Sequence, residues 1–278
     1  MNGAPDADAT ATARWRNALE ALRIPDAILE AAPEPPWGFP TELFRRRAAA
    51  SASDEVTPTT ARAAEVLKAG GSVLDVGCGG GATSLPLVPP AGALTGVDGQ
   101  ADMLEEFRRA AEAAGARART VHGPWPEVAP AAGDADVAVC GHVLYNVAEA
   151  APFVEALGRH ARRRVVLELT ERHPLAWMTD LWERFHGIER SEGPTVDDAV
   201  SMLRAIGRPP EREDREDRPA GGFDRREDAV ALIRRRLCLP ASRDDEVAAA
   251  LGERLREHDG LWSAGPPAQR VVTLWWDV

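Results

Sequence analysis

The sequence predicts an α/β fold, a doubly wound and mostly parallel sheet with helices on both faces. Three observations predict it. The stretch Val73–Ser84 reads Val-Leu-Asp-Val-Gly-Cys-Gly-Gly-Gly-Ala-Thr-Ser, an apolar run of strand length that breaks into a glycine-rich turn at Gly77–Gly81. Short apolar runs then alternate with amphipathic helical stretches as far as Leu169. A last run, Arg270–Trp276, alternates apolar and polar residues as a strand does.

Taken in order, Met1–Thr12 is rich in Ala, Asp and Thr without periodicity and reads as a disordered tail. From Ala13 a helical spacing runs through Trp15, Leu19 and Leu22, and Pro25 breaks it before Ile28 and Leu29. Pro33–Pro40 is a proline-rich turn carrying Trp37 and Phe39. Thr41–Ala50 and Pro58–Ala69 read as helices, the second closed by Gly70-Gly71. Residues 1–70 are thus expected to form a tail and a helical cap. A core over 71–170 follows, with strands at Ser72–Val76, Ala93–Val97, Ala118–His122, Asp136–Cys140 and Arg164–Leu169. Helices are expected at Ala101–Ala114 and Ala148–Arg159, and Arg162–Arg164 is expected to face solvent. Residues 171–278 are expected to hold helical insertions and to complete the sheet. Helices are expected within Glu171–Gly193 and at Thr195–Ile206, Asp224–Leu237 and Asp244–Glu257, and an exposed edge strand within Pro210–Arg218.

The glycine turn is the chemical centre of this pattern. Glycine lets a ligand lie directly on the main chain. A helix opening near Ala82 would offer free N–H groups to a negative group such as a carboxylate. Two nucleoside-cofactor patterns fit. Gly77-x-Gly79-x-x-Ala82, followed by Asp98, satisfies the dinucleotide fingerprint. Asp75-x-Gly77-x-Gly79-x-Gly81, followed by Leu94-Thr95-Gly96-Val97-Asp98 and then Gln100, Met103 and Leu104, fits a second pattern more fully. On these motifs the chain, over about Val73–Leu169, resembles the class I S-adenosylmethionine-dependent methyltransferases.

That resemblance implies a Rossmann-like sheet of seven strands with the last one antiparallel. It implies S-adenosylmethionine as cofactor and S-adenosylhomocysteine as product. It also implies a cofactor site drawn from Asp75, Gly77, Cys78, Gly79, Gly81, Asp98, Gly99, Met103 and Cys140, with Asp98 on the ribose hydroxyls. The family's acid near the third strand, which contacts adenine, has no counterpart before Glu127. Trp125 is the candidate to stack on the adenine ring instead.

Composition narrows the acceptor. The net charge is −11, and Lys68 is the single lysine among 33 basic residues, a poor endowment for neutralising phosphates, so no nucleic-acid partner is expected. Cys78, Cys140 and Cys238 form no metal-ligand or disulfide spacing, and no metal is expected. No apolar run of membrane length or leader pattern is present, so a cytoplasmic chain without a membrane partner is expected. The sequence leaves open whether it is a monomer or a homodimer.

In line with that reading, the expected reaction is methylation of a small organic molecule at oxygen or nitrogen. A sulfonium methyl is already activated, so the protein must align the acceptor and remove a proton where one is present. His142 is the candidate base and Tyr145, the single tyrosine, a candidate to orient the acceptor. Trp37, Phe39, His173 and Trp177 are candidates for the acceptor pocket. Two alternatives stand beside this reading: a protein side chain as acceptor, or a non-catalytic S-adenosylmethionine-binding regulator. A nicotinamide oxidoreductase is a remote fourth.

Overall fold

The structure, a computed structural model, describes residues 7–37, 56–218 and 222–278. Helices α1 (Ala7–Glu20), α2 (Asp26–Glu30) and α3 (Pro58–Ala64) precede the sheet. The first extends into the stretch expected to be disordered, so the helix starts at Ala7 rather than Ala13. Pro25 separates α1 from α2, and Thr57-Pro58 starts α3, the Thr57 hydroxyl accepting from the Thr60 N–H at 3.1 Å. The helix expected at Thr41–Ala50 lies outside the described residues.

The core then runs β1 (Gly71–Val76), β2 (Ala91–Asp98), α4 (Ala101–Ala113), β3 (Arg117–His122), α5 (Ala129–Ala132), β4 (Ala135–Gly141), α6 (Ala150–His160) and β5 (Ala161–Thr170). It continues with α7 (Thr179–His186), α8 (Val196–Ala205), β6 (Glu211–Asp217), α9 (Arg226–Arg236), α10 (Asp244–Leu251), β7 (Leu255–His258), β8 (Leu261–Ala264) and β9 (Gln269–Asp277). Seven strands form one sheet in the order β3-β2-β1-β4-β5-β9-β6. All pairings up to β5 are parallel, and β9 enters antiparallel between β5 and β6. This is the Rossmann-like arrangement with an inverted last strand that the motifs implied.

Each face of the sheet is covered. Leu74, Val76, Val165, Leu167 and Leu274 point into a cluster with Trp15 of α1, Phe153 and Leu157 of α6, and Met202 and Leu203 of α8. Val73, Leu94, Val137 and Val166 point the other way, toward Ala63 of α3 and Phe107 of α4. That alternation follows from the period of two along a strand, and burial on both faces explains why the strands read as continuous apolar runs. A third cluster, built from Ile24, Leu181, Trp182, Ile233, Leu237 and Val247, joins α7, α9 and α10. The edge strand β6, Glu-Arg-Glu-Asp-Arg-Glu-Asp, pairs on one side alone, and its charges discourage further strand addition.

Four expectations need correction. No α-helix opens near Ala82: the chain makes a short 3-10 turn at Leu85–Leu87. Pro86, Pro89 and Pro90 lack the N–H groups a helix needs, and each disfavours helical backbone in the residue before it. The row of free helix N–H groups expected for a negative ligand is therefore not formed. Arg164 does not face solvent. It is buried, with Glu65 and Asp277 each 2.7 Å from its guanidinium.

The helix expected over Asp244–Glu257 stops at Leu251, where Gly252 takes φ 52°. The chain then forms the β7–β8 hairpin, whose two-residue turn Asp259-Gly260 has φ 50° and 76°, as a primed turn requires. The helical stretch expected to hold His173 starts later. His173 precedes a 3-10 turn at Ala176–Met178, and α7 begins at Thr179.

Candidate functional site

The order β2-β1-β4 places a topological switch between β1 and β4, and ligands in such sheets bind outside the carboxyl ends of the strands there. The loops after these two strands touch. A Cβ on Gly77, where φ is 71°, would lie 2.3 Å from Val143 Cγ2 of the loop after β4. The glycine is thus needed both for its backbone angle and for the closeness of the two loops. Gly79, with φ 48°, differs: a Cβ there would meet nothing within 4 Å, so the loop presents bare backbone to open space.

Asp98 closes the other side of this space. Its Oδ2 accepts from the Gly79 N–H at 2.9 Å and its Oδ1 from the Gln100 N–H at 2.9 Å. Each carboxylate oxygen retains acceptor capacity, which suits the two hydroxyls of a ribose. The Gly99 carbonyl beside it is hydrogen-bonded to His122 Nε2 at 3.0 Å.

Asp75 lies fully buried beneath the loop. Its Oδ2 accepts from the Ser84 hydroxyl at 2.6 Å, and its Oδ1 has no hydrogen-bond partner. Burial pushes this carboxyl up to about 7, against the Ser84 hydrogen bond and with help from the charge of Asp98. An orphaned buried carboxylate oxygen, an open glycine backbone and a pre-set diol acceptor fit the ammonium, backbone-contacting and ribose parts of S-adenosylmethionine. Asp75, Gly79 and Asp98 are therefore the residues that would hold that group.

The Asp75 geometry carries a prediction. The unfolded carboxyl ionises near its ordinary value of 3.8, whereas the native one keeps its proton to about 7. The folded protein is thus favoured below the ordinary value, and that advantage is lost as pH rises from there to about 7. Asp75→Asn removes the penalty, so it should raise the apo-protein melting temperature at pH 8 and leave it near wild type at about pH 4, with ~4 kcal/mol as the ceiling for a shift of this size. Melting curves at the two pH values check this.

The remaining expected cofactor residues are placed as follows. Cys78 points inward, since a Cβ on Gly96 would lie 2.8 Å from its sulfur, and burial pushes its thiol up. Cys140 is fully buried in β4 and its thiol is pushed up for the same reason. Met103 is buried in the first turn of α4. Gly81 packs against Leu85 and Phe107, and a Cβ on Gly99 would meet nothing within 4 Å. Trp125 turns toward α6: its Nε1–H donates to the Phe153 carbonyl at 3.1 Å, and its ring meets His160 edge-on. Its indole is held by packing on α6.

Beyond β4 the structure assembles a line of proton-handling groups. His142 adopts φ 59°, unusual for a residue other than glycine, and its N–H donates to the Glu168 carbonyl at 2.8 Å. Its Nε2 lies 3.0 Å from Glu168 Oε1 and its Nδ1 2.7 Å from the Tyr145 hydroxyl. Glu168 Oε2 accepts from the buried Thr59 hydroxyl of α3 at 2.5 Å, and Thr59 is hydrogen-bonded to Thr273 of β9 at 2.7 Å. Burial by itself would raise the Glu168 carboxyl. The hydrogen bond and charge of a protonated His142, the Thr59 hydrogen bond and the charge of Arg215 outweigh it, holding the group at about 2. An ionised carboxylate can only accept, so the neutral form of His142 carries its proton on Nε2 and turns its Nδ1 lone pair to the Tyr145 O–H.

Glu168 was not among the residues the sequence singled out. Its signal was present, a lone charge inside Val165–Leu169 in the middle of a buried strand.

The expected acceptor residues are partly gathered here. The His173 ring stands edge-on to Tyr145 with centroids 5.6 Å apart. Burial, with the charge of Arg190, pushes His173 down to about 4. Trp177 lies under Arg254, 5.6 Å from ring centroid to guanidinium carbon, against the third cluster. Trp37 is 52% exposed, and Phe39 lies outside the described residues. Helix α1 crosses above: Trp15 Nε1–H donates to the Val147 carbonyl at 2.9 Å and Arg16 to Glu149 at 2.7 Å, tying the helix to the loop that carries His142 and Tyr145. Among the described residues no group of three or more His, Cys, Asp and Glu could hold a metal ion.

Comparison with known proteins bears on the fold. Residues 73–164 match a family model described as a methyltransferase domain. A candidate methyltransferase from Bacillus halodurans is 16% identical, with a TM-score of 0.52 over 81% of this chain and 99% of that one. The YcgJ protein of Bacillus subtilis is also 16% identical, with a TM-score of 0.50 over 79% of this chain and 97% of that one. At this identity both show a shared fold and no more. No curated protein matches the chain. The matched segment holds the glycine loop, Asp98 and the His142 loop, so residues 73–164 read as a methyltransferase domain that carries the motifs of the S-adenosylmethionine-dependent class.

Proposed function

We propose that this methyltransferase acts on a small organic acceptor at an oxygen or nitrogen that must lose a proton, with His142 as general base. The line Tyr145–His142–Glu168 carries this reading. S-adenosylmethionine, when bound, supplies an electrophilic methyl group. The chain's own residues do the rest. The Tyr145 hydroxyl accepts the acceptor's proton while passing its own to His142 Nδ1, and the imidazolium so formed is stabilised by the Glu168 carboxylate at Nε2. Thr59 and Thr273 fix the carboxylate, and the buried backbone contact to Glu168 fixes the imidazole.

The small size of the acceptor is supported by the cover over this line. Helix α1 is pinned to the loop after β4, and the helical third cluster stands beside it. In this reading residues 71–170 hold the cofactor, the segments before them cap the site, and residues 171–278 wall the acceptor pocket and complete the sheet. No helix among the described residues is long and apolar enough to cross a membrane. The acidic balance and the near absence of lysine support a cytoplasmic protein that acts neither on nucleic acid nor at a membrane.

Formation of S-adenosylhomocysteine across a panel of phenols, hydroxy acids and amines tests the proposal. With an acceptor found, His142→Ala should lower kcat ~10²- to 10⁴-fold and Tyr145→Phe ~10-fold or more, the range of general-base effects. Neither should change affinity for S-adenosylhomocysteine more than ~2-fold, since a general base acts on the acceptor's proton. Full activity of His142→Ala would sink the base assignment.

A further inference from the structure

Arg190, in the loop between α7 and α8, is half-buried and holds no carboxylate. Its guanidinium carbon lies 4.4 Å from the Trp182 ring centroid, and its Nε is buried with no hydrogen-bond acceptor. Among the described residues no acid pairs with it. Glu192, two positions away, pairs with Arg172 instead. Two more deeply placed arginines are treated differently: Arg164 meets Glu65 and Asp277, and Arg234 meets Glu34 and Asp244. Taking a guanidinium out of water without a counter-charge is unfavourable, and burial accordingly pulls the Arg190 pKa down.

The position of this uncompensated cation points to a ligand. Its loop lies against His173, where a Cβ on Gly193 would come within 3.1 Å of the His173 Cβ; the His173 ring stands edge-on to Tyr145, and Tyr145 faces His142. His173 Nδ1 accepts from the Leu175 N–H at 3.2 Å, so the neutral imidazole carries its proton on Nε2 as a further donor. Donors therefore stand at one end of a row of side chains and the proton acceptor at the other.

We propose that Arg190 binds a carboxylate of the methyl acceptor, so that the substrates are small carboxylic acids bearing the hydroxyl or amino group that is methylated. Stacking on Trp182 holds the guanidinium plane, which leaves its edge for a two-point contact with a carboxylate. Arg190 is then a specificity-determining residue, and the inference rests on the methyl-transfer reading of the site.

The test uses the full chain saturated with S-adenosylhomocysteine. Hydroxybenzoates, hydroxycinnamates, anthranilate and short hydroxy and amino acids are titrated against it, each beside its primary amide. Wild type, Arg190→Gln and Arg190→Lys are compared by thermal shift and calorimetry. At least one acid should bind while its amide binds at least ~10-fold more weakly, because the charge-assisted contact is lost. Arg190→Gln should weaken that acid by the same factor and Arg190→Lys should restore part of it. S-adenosylhomocysteine affinity should be unchanged throughout. The ligand-free melting temperature of Arg190→Gln should not fall, whereas an arginine present for structure would lower it.

Binding of no acid, equal binding of acids and amides, or an acid indifferent to Arg190→Gln overturns the proposal. Failure of S-adenosylhomocysteine itself to bind wild type would instead remove the reading on which it rests.

Discussion

Asp98→Ala should weaken S-adenosylhomocysteine binding by ~100-fold or more, as loss of two charge-assisted hydrogen bonds at ~1.5–3 kcal/mol each implies. Two effects combine. The carboxylate that receives the ribose hydroxyls disappears, and the Gly79 and Gln100 N–H groups lose their 2.9 Å acceptor, so the open face of the glycine loop loses its shape. Asp98→Asn separates the two, because the amide oxygen retains one acceptor while the charge is gone. It should fall between wild type and Asp98→Ala in a calorimetric titration. Unchanged affinity in both variants would mean that the cleft at the β1–β4 switch is not where the cofactor lies.

Glu168→Ala should cause the largest loss of stability, ~1–3 kcal/mol, the range for leaving buried hydrogen-bonding groups without their partner. His142 loses its carboxylate, and the Thr59–Thr273 pair that joins α3 to β9 loses the acceptor at its end. Glu168→Gln keeps the shape and one acceptor. It should fold, yet lower kcat ~100-fold, since a neutral amide cannot stabilise the imidazolium.

The pH dependence has a definite sign. The carboxyl sits at about 2 in the native state against an ordinary 4.5, so its contribution is complete above the ordinary value and lost as pH falls from there toward 2. Acid unfolding of Glu168→Gln should lack that component. Denaturant titrations at pH 7 and pH 3.5, beside steady-state rates, read both effects.

The sheet could be read from the sequence because its physical cause is local. Strands such as Val73–Val76 and Val165–Leu169 are buried on both faces and appear as unbroken apolar runs. The inverted last strand came from the family pattern and not from the residues of β9, whose alternation fixes a strand but not its direction. The helix expected after the glycine loop rested on the turn alone and failed. Three prolines within Leu85–Pro90 excluded it, and they were visible. Asp259-Gly260, with strand-like flanks, was likewise a hairpin signal that a helical reading of Asp244–Glu257 overrode.

The candidate site divides the same way. Asp75, Gly79 and Asp98 share one short stretch of motif, so spacing brought them to notice. Glu168, Thr59 and Thr273 belong to three separate elements, and only the register of β5 against β9 and the packing of α3 bring their side chains together. Arg190 carries no local signal. Its lack of a counter-charge is a fact about space, not about sequence.

The central claim is that the space bounded by Asp75, Gly79 and Asp98 takes S-adenosylmethionine. Parallel calorimetric titration of the wild-type chain with S-adenosylmethionine, S-adenosylhomocysteine and NAD tests it most directly. Saturable one-to-one binding of the two adenosyl compounds, with no heat beyond dilution from NAD, is the predicted result. Binding of NAD in place of the adenosyl pair, or of none of the three, would contradict it.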